Sequence, residues 1–272
     1  MLRASELRAL RPLSLLVALA AASFSVSAAV VTVLPGDPNW ANPGGENGGG
    51  GSSVITATAP RSGNGSLELF GDRTRFIGLG NPYSAGSNLG LLSDVLAFSF
   101  DWMIALGSTN GLNPDYTPAL RLHVWDGNQR SELIWEGAYN AAYGNTDEGT
   151  WYSSGAGDNF WRFQTGIGQT NQPVGGAMVT QSIAAWVAGA SNSGTDWYSD
   201  QAYVAAISVG VGSSASSGYH AFADNVVFNT VAGGDRTFNF EVRGTGTVPE
   251  PASIALVGLA LLGAAVARRR QH

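Results

Sequence analysis

The sequence predicts an all-β domain, an antiparallel β-sandwich or jelly roll, between a secretory signal peptide and a single C-terminal transmembrane helix. Two observations in residues 29–247, called the body below, predict this fold class. Apolar and polar residues alternate with a period of two, and the short alternating runs are separated by turns rich in Gly, Ser and Asn. Such alternation places successive side chains on opposite faces of a strand, and many short strands with such turns are typical of sandwiches. Only residues 181–187, capped by Thr180, predict a helix.

The clearest strand covers residues 96–104, where Leu96, Phe98 and Phe100 share one face and Ser99 lies on the other. Similar runs occur along the whole body. The predicted strands are residues 30–34, 54–59, 66–70, 96–104, 120–124, 131–137, 160–165, 202–211, 222–229 and 237–243.

A hairpin is predicted between the fifth and sixth of these strands. Arg121 and His123 alternate with aliphatic residues, so both point away from the apolar face. Asp126-Gly127 follows directly and is a common hairpin turn. We assign Gln129 to the connection, which makes the predicted loop longer than two residues.

The composition excludes several functional classes. The chain of 272 residues has 14 Arg, no Lys, 20 acidic residues and no Cys. Without cysteine there is no disulfide framework, no thiolate metal site and no cysteine nucleophile. Residues 29–249 carry 8 of the arginines and 18 of the acidic residues. Because a nucleic-acid partner requires a basic face, we expect no nucleic acid to bind.

Residues 1–28 are predicted to be a cleavable signal peptide. Three arginines precede a continuous apolar stretch, and small residues follow it up to Ala28, where we expect signal peptidase to cleave, with Ala29 as the neighbouring option. The other interpretation is an amphipathic or buried N-terminal helix. The apolar residues show no helical stripe, which favours the signal peptide.

Residues 248–272 form a second signal at the C-terminus. The triplet Pro249, Glu250 and Pro251 precedes an apolar stretch, residues 252–267, and then three consecutive arginines, Arg268, Arg269 and Arg270. As a helix the apolar stretch is about 24 Å long, so it spans a bilayer only marginally. The terminal arginines are expected to stay in the cytoplasm, which places the body outside the inner membrane.

These three parts, in this order, resemble the PEP-CTERM sorting signal of Gram-negative bacteria. The resemblance implies recognition by exosortase, a transpeptidase-like enzyme of the inner membrane, and cleavage near the Pro-Glu-Pro triplet. Both prolines lack a backbone N–H, so the triplet is expected to stay extended and accessible. A permanent tail anchor without processing is the alternative.

Glu132 and Glu136 are the candidate catalytic pair, because they share one face of a predicted strand and glycoside hydrolysis requires paired carboxylates. Their spacing is similar to the Glu-x-Asp-x-Glu strand of laminarinase-type glycoside hydrolases, although Ile134 stands in the place of the Asp. On a regular strand the two Cα atoms are about 13 Å apart, whereas retaining enzymes hold their carboxyl groups ~5–5.5 Å apart. The other interpretation is a solvated polar face of an edge hairpin, with Leu133 and Trp135 buried.

Asp224 is the candidate metal ligand. Asp224-Asn225-Val226 resembles the Asp-Asn/Asp-Val strand of carbohydrate-binding modules, jelly rolls of the concanavalin type, in which this Asp often ligates a structural calcium ion. Calcium prefers six to eight oxygen ligands, and Asp37 and Asn39 are further candidates. The alternative is that Asp224 accepts hydrogen bonds from nearby backbone. We expect no other cofactor.

Trp40, Trp151 and Trp197 are the candidate glycan-binding residues, because all three fall in predicted loops. Aromatic rings stack on the apolar faces of sugars. The alternative is that these rings are buried as lids over the sandwich.

Together these features predict an exported, exosortase-processed protein of the cell surface or extracellular space. Because PEP-CTERM tails accompany exopolysaccharide production, we expect a non-enzymatic body that binds glycan or contributes structurally to an exopolysaccharide or biofilm matrix. The alternative is a jelly-roll glycoside hydrolase or lyase acting on the same polymer.

Overall fold

The computed structural model describes residues 28–109, 116–143, 146–164, 168–169, 179–188, 198–213 and 215–243. The predicted signal peptide, apart from Ala28, and the predicted transmembrane helix lie outside these residues. Within them the chain forms fourteen strands and one α-helix, α1 (Ile183–Val187). The strands are β1 (Ala29–Val33), β2 (Trp40–Ala41), β3 (Ser52–Thr56), β4 (Ser66–Phe70), β5 (Thr74–Gly78), β6 (Val95–Ile104), β7 (Ala119–Asp126), β8 (Gln129–Trp135), β9 (Tyr152–Ser153), β10 (Trp161–Gln164), β11 (Gly168–Gln169), β12 (Tyr203–Val211), β13 (His220–Thr230) and β14 (Arg236–Phe240).

The ten strands predicted from the sequence are all present, each within a few residues of its expected bounds. The structure adds β2, β5, β9 and β11. Three of these have only two residues, too few for an alternating pattern. In β5, Phe76, Ile77 and Gly78 are all buried, so this strand has no period of two for a sequence pattern to detect.

The short helix α1 begins two residues later than predicted. Ser182 is its N-cap, and the Ser182 hydroxyl accepts a hydrogen bond from the backbone N–H of Ala185 at 3.3 Å, so the predicted cap at Thr180 is wrong. Trp186 anchors the helix in the core with no exposed surface. Among the helices of the described residues, none has the length and apolar character needed to cross a membrane.

The first sheet is organised around β13. The strand β6 pairs antiparallel along one edge of β13, and β4 and β14 divide the other edge between them. The register of β13 shifts between Asp224 and Val227, where Asn225 has a φ of 48°. At the edge of the sheet, β1 and β14 pair in parallel, so the predicted antiparallel pattern has one exception in the described residues.

The second sheet has the strand order β11-β10-β8-β7-β12-β5-β2 and is antiparallel throughout. Its centre is the predicted hairpin of β7 and β8. Asp126 pairs with Gln129, so the loop has two residues, and our expectation of a longer loop is wrong. Gly127, at the first loop position, has a φ of 56°, a conformation that glycine adopts without a Cβ penalty.

The two sheets face each other across one large aromatic core. The ring of Trp135 from the second sheet lies 5.2 Å from Phe100 and 6.1 Å from Trp102, both from the first sheet. At the other end of the core, Trp40 lies 5.1 Å from Phe240. The prediction of an all-β body with two packed, mainly antiparallel sheets is therefore confirmed, while the jelly-roll path stays a prediction.

We expect Trp135→Ala to destabilise the body by about 3–5 kcal/mol, because it removes a fully buried ring that contacts the opposite sheet. Urea unfolding followed by circular dichroism measures this change. Leu96→Ala is the control, since Leu96 is 64% exposed and its truncation is expected to cost about 0.5 kcal/mol or less. Equal losses in the two variants would contradict the assignment of Trp135 to the core.

Candidate functional site

The candidate site lies on the face of the second sheet that points away from the aromatic core. Because paired residues of neighbouring antiparallel strands point to the same face, the register brings together side chains from several strands. His123 pairs with Glu132, and Arg121 pairs with Ile134. Ile134 also pairs with Trp161 of β10. These side chains meet on one face although they come from three strands.

A cavity of about 470 Å³ opens on this face. Charged, aromatic and small residues all contribute to its wall, and we call it the arginine cavity. Its polar and aromatic lining residues include Arg75, Arg121, Glu132, Glu136, Tyr116 and Trp161.

Glu132 is the buried anion of the arginine cavity, with 1% of its side chain exposed. Its Oε1 atom accepts hydrogen bonds from Arg75 Nη1 at 2.9 Å and from Arg130 Nη2 at 2.6 Å. Burial by itself raises the pKa of the Glu132 carboxyl, but the facing His123, Arg75 and Arg121 outweigh burial and hold this pKa well below its usual range. Glu132 is therefore a carboxylate at neutral pH.

His123 supports this arrangement as a neutral residue. Its ring has no exposed surface, and burial lowers its pKa below the ordinary histidine value. The Nε2 atom shares a hydrogen bond of 2.9 Å with the hydroxyl of Ser208. The Nδ1 atom of His123 lies 3.6 Å from Glu132 Oε1, so the polar ring and the arginine charges together keep Glu132 ionised.

Arg121 has the least satisfied charge of the site. Its side chain is only 3% exposed, yet its Nε and Nη1 atoms have no hydrogen-bond partner. The nearest anion is Glu132 Oε2, which is 3.8 Å from Arg121 Nε and has no hydrogen-bond partner either. Burial lowers the pKa of Arg121, but a guanidinium stays protonated in proteins. Arg75 Nε has no partner either, so the residues that line the arginine cavity hold three buried donor atoms and one buried acceptor atom without hydrogen bonds.

Glu136 lies further along the same face, in different surroundings from Glu132. Burial raises its pKa, and the charge of Arg121 and a hydrogen bond from Trp161 only partly offset this effect. The indole Nε1–H of Trp161 donates to Glu136 Oε2 at 3.1 Å, which fixes the ring in the cavity wall. Burial also raises the pKa of Tyr116, so its hydroxyl stays protonated.

The sequence correctly placed Glu132 and Glu136 on one face, but this face is not a solvated one. Glu132 is buried, Glu136 is half-buried, and β8 pairs with β10 as well as with β7, so the alternative of a solvated edge hairpin is wrong, although Leu133 and Trp135 are buried as it expected. The ladder between β7 and β8 is regular up to Trp135, which keeps the two Cα atoms about 13 Å apart. This spacing does not match the carboxyl separation of a retaining glycosidase.

Asp224 lies on the other sheet, away from the arginine cavity. Its Oδ1 accepts from the backbone N–H of Phe240 at 2.9 Å, and its Oδ2 accepts from that of Ser62 at 3.2 Å. The side chain is fully buried, and burial raises its pKa to about 7. No cluster of three or more His, Asp or Glu residues that would hold a metal occurs in the described part of the chain. The contacts of Asp224 are those of the backbone-binding alternative.

The three candidate glycan-binding tryptophans differ in their positions and exposure. Trp40 lies in β2 rather than in a loop and is 4% exposed, packed against Phe76, so its assignment as an exposed binding ring is corrected. Trp151 is half-buried against Met103 and Phe222. Trp197 lies outside the described residues. Sequence reasoning missed Trp161, because its position on a strand made it look like an ordinary core residue.

The sorting residues, from Pro249 to Arg270, lie outside the described residues and are identified from the sequence. The PEP-CTERM protein-sorting motif matches residues 247–271. The chain carries a PEP-CTERM sorting motif. This motif indicates an exported protein that exosortase processes on the way from the membrane to the surface of a Gram-negative bacterium. No curated protein and no solved structure matches the chain.

Replacing the buried anion tests the electrostatics of the site. We expect Glu132→Gln to destabilise the protein by about 3 kcal/mol at pH 7, because Arg75, Arg121 and Arg130 lose the charge that compensates them. Because the folded-state pKa of Glu132 is depressed, the difference between wild type and variant is expected to shrink as the pH falls below the ordinary glutamate value of 4.5. Urea unfolding at pH 7 and pH 3 measures both effects.

Asp235→Asn is the matched control, since it makes the same chemical change at an exposed residue. A Glu132→Gln variant as stable as this control would show that the arginines do not depend on the carboxylate.

Asp224 is expected to change the free energy of unfolding with pH in the direction opposite to Glu132. Its folded-state pKa of about 7 exceeds the ordinary value of 3.8, so the folded protein keeps a proton that the unfolded chain releases. This stabilising contribution is complete below about pH 4 and is lost as the pH rises towards 7. We expect Asp224→Asn to flatten the decline of unfolding free energy with pH in this window, as measured by urea unfolding.

The same variant separates this explanation from a calcium site. We expect EDTA to leave the melting temperature of the wild type unchanged, since both carboxylate oxygens of Asp224 already accept backbone hydrogen bonds. A melting temperature that falls with EDTA in the wild type but not in Asp224→Asn would establish the metal instead.

Proposed function

We propose that the body is a non-enzymatic glycan-binding domain, which its PEP-CTERM motif delivers to the cell surface or to an exopolysaccharide matrix. The route involves signal peptidase at the N-terminus, an inner-membrane intermediate and exosortase at the C-terminus. The arginine cavity is the binding site in this proposal. Its volume of about 470 Å³ falls within the range of about 300–1,000 Å³ that is usual for small-molecule sites.

The observation that carries the proposal is that the same cavity is lined by polar atoms without hydrogen-bond partners and by aromatic rings. Sugar hydroxyls both donate and accept hydrogen bonds, and so they match the free oxygen of Glu132 and the free nitrogens of Arg121. The C–H faces of a sugar ring match the aromatic wall, where the half-buried ring of Tyr139 packs edge-on against Trp161, itself 8% exposed. A buried polar atom without a partner costs about 1–3 kcal/mol, and a bound glycan removes that cost.

The alternative function, a glycoside hydrolase or lyase, has one observation in its favour. The pKa of Glu132 is lowered and that of Glu136 is raised, and such divergence is typical of paired catalytic carboxylates. The spacing of about 13 Å between their Cα atoms and the ion pairs of Glu132 weigh against a hydrolase. The raised pKa of Tyr116 makes its hydroxyl a poor base, which weighs against a lyase.

Polysaccharide pull-down tests the proposal. The full-length protein in detergent is incubated with insoluble polysaccharides, including the exopolysaccharide of the native host, and the bound fraction is measured together with new reducing ends and unsaturated products. We expect binding to at least one polymer with no cleavage. Cleavage would establish the enzymatic alternative, and absence of binding to every polymer, including that of the host, would leave a structural role in the matrix.

A further inference from the structure

We infer that the arginine cavity recognises a carboxylate-bearing sugar, such as a uronic acid unit of an acidic polysaccharide. This inference rests on the proposed glycan-binding function and assigns the chemical class of the ligand. It follows from the charges that line the cavity and from the polar atoms that lack partners there.

The positive charge of the cavity contrasts with the rest of the protein. Residues 29–249 carry 8 arginines against 18 acidic residues, yet half of these arginines gather at this one face. Three of them, Arg73, Arg75 and Arg121, line the cavity, and Arg73 is exposed. The fourth, Arg130, forms an ion pair with Glu132 of the cavity wall. The net negative charge of the body repels an approaching anion, so an anion can be recognised only through arginines close to the binding site.

Arg75 pairs with Glu46 at 3.3 Å as well as with Glu132, so the buried positive charge without a hydrogen-bonded anion is that of Arg121. Oε1 of Glu132 accepts from Arg75 and Arg130, while Oε2 stays 3.8 Å from Arg121 Nε, beyond hydrogen-bond distance. Glu136 is turned to Trp161, which donates to its Oε2 atom. Arg121 therefore keeps two buried donor atoms without partners, Nε beside Glu132 and Nη1 on the other side of the guanidinium.

A carboxylate is the group that the free Nη1 donor of Arg121 fits best. Nε and Nη1 point to opposite sides of the guanidinium, so one carboxylate cannot accept from both; an incoming carboxylate accepts from Nη1, while Nε stays beside Oε2 of Glu132. A hydrogen bond between charged groups is about twice as strong as a neutral one. The unpaired Oε2 of Glu132 needs a hydroxyl donor beside that carboxylate. A hydroxyl next to a carboxylate on a ring with an apolar face describes an acidic sugar, and Trp161 with Tyr139 supplies the aromatic wall for that face.

Calorimetric titration of the full-length protein in detergent with trigalacturonic acid tests the inference. The comparison ligands are its methyl ester, which has the same ring and no charge, and inorganic phosphate, which has the charge and no ring. We expect the acid to bind at least about tenfold more tightly than either comparison ligand. Equal binding of acid and ester would overturn the inference while leaving the proposed glycan-binding function intact. Binding of phosphate as tight as that of the acid would also overturn it, since the site would then be a general anion site.

Two variants assign the binding to this cavity. Arg121→Gln is expected to weaken binding of the acid at least about tenfold, whereas Arg243→Gln, the same change at an exposed arginine outside the cavity, is expected to alter it less than twofold. Glu136→Gln removes a negative charge near the proposed ligand and leaves every arginine in place, and it is expected to tighten binding severalfold. If both variants, Arg121→Gln and Glu136→Gln, bind the acid as tightly as the wild type does, the assignment is overturned.

The Glu136→Gln variant keeps the inference testable if Arg121→Gln does not fold. If circular dichroism shows that Arg121→Gln does not fold, tighter binding by Glu136→Gln supports the inference and unchanged binding overturns it. Absence of binding by the wild type to the acid and its ester, together with absence of binding to every polysaccharide, would overturn the proposed function as well.

Discussion

The carboxylate of Glu132 lies almost fully buried on the outer face of the second sheet, and the organisation of that face depends on it. Taking a charge out of water costs several kcal/mol, so an ion at such a position needs partners placed by rigid neighbouring elements. The strands supply them: Arg75 comes from β5, Arg121 from β7 and Arg130 from β8, next to Glu132 itself. Three strands of this sheet thus supply partners to one anion, and Ser208 of a fourth strand, β12, holds His123 beside it.

The two oxygens of Glu132 differ in their hydrogen bonds, and this difference determines which groups of the site lack partners. One oxygen of Glu132 accepts from two arginines, while the other has no hydrogen bond and faces the unsatisfied guanidinium of Arg121. In a stable core such groups are normally paired, and exceptions of this kind occur where a ligand or water completes the network. These unpartnered groups are the basis of our proposal that the arginine cavity is a binding surface.

The sorting motif and the body carry different kinds of information. The motif acts as a linear signal, with prolines that keep the triplet extended, an apolar stretch and an arginine cluster, and it indicates where the protein goes without reference to the fold. The body determines what the exported protein does there.

The sequence by itself determined the sorting motif, the all-β class and the location of ten strands, because all of these depend on local order or on a period of two. It also placed Arg121 and His123 on the outer face of β7. Only the tertiary structure decided that this face is buried and that Arg75, from the unpredicted strand β5, reaches Glu132. It also decided that Trp161 rather than Trp40 lines the site. The physical reason is that a strand pattern tells which side chains share a face, whereas burial and charge pairing depend on which strands become neighbours.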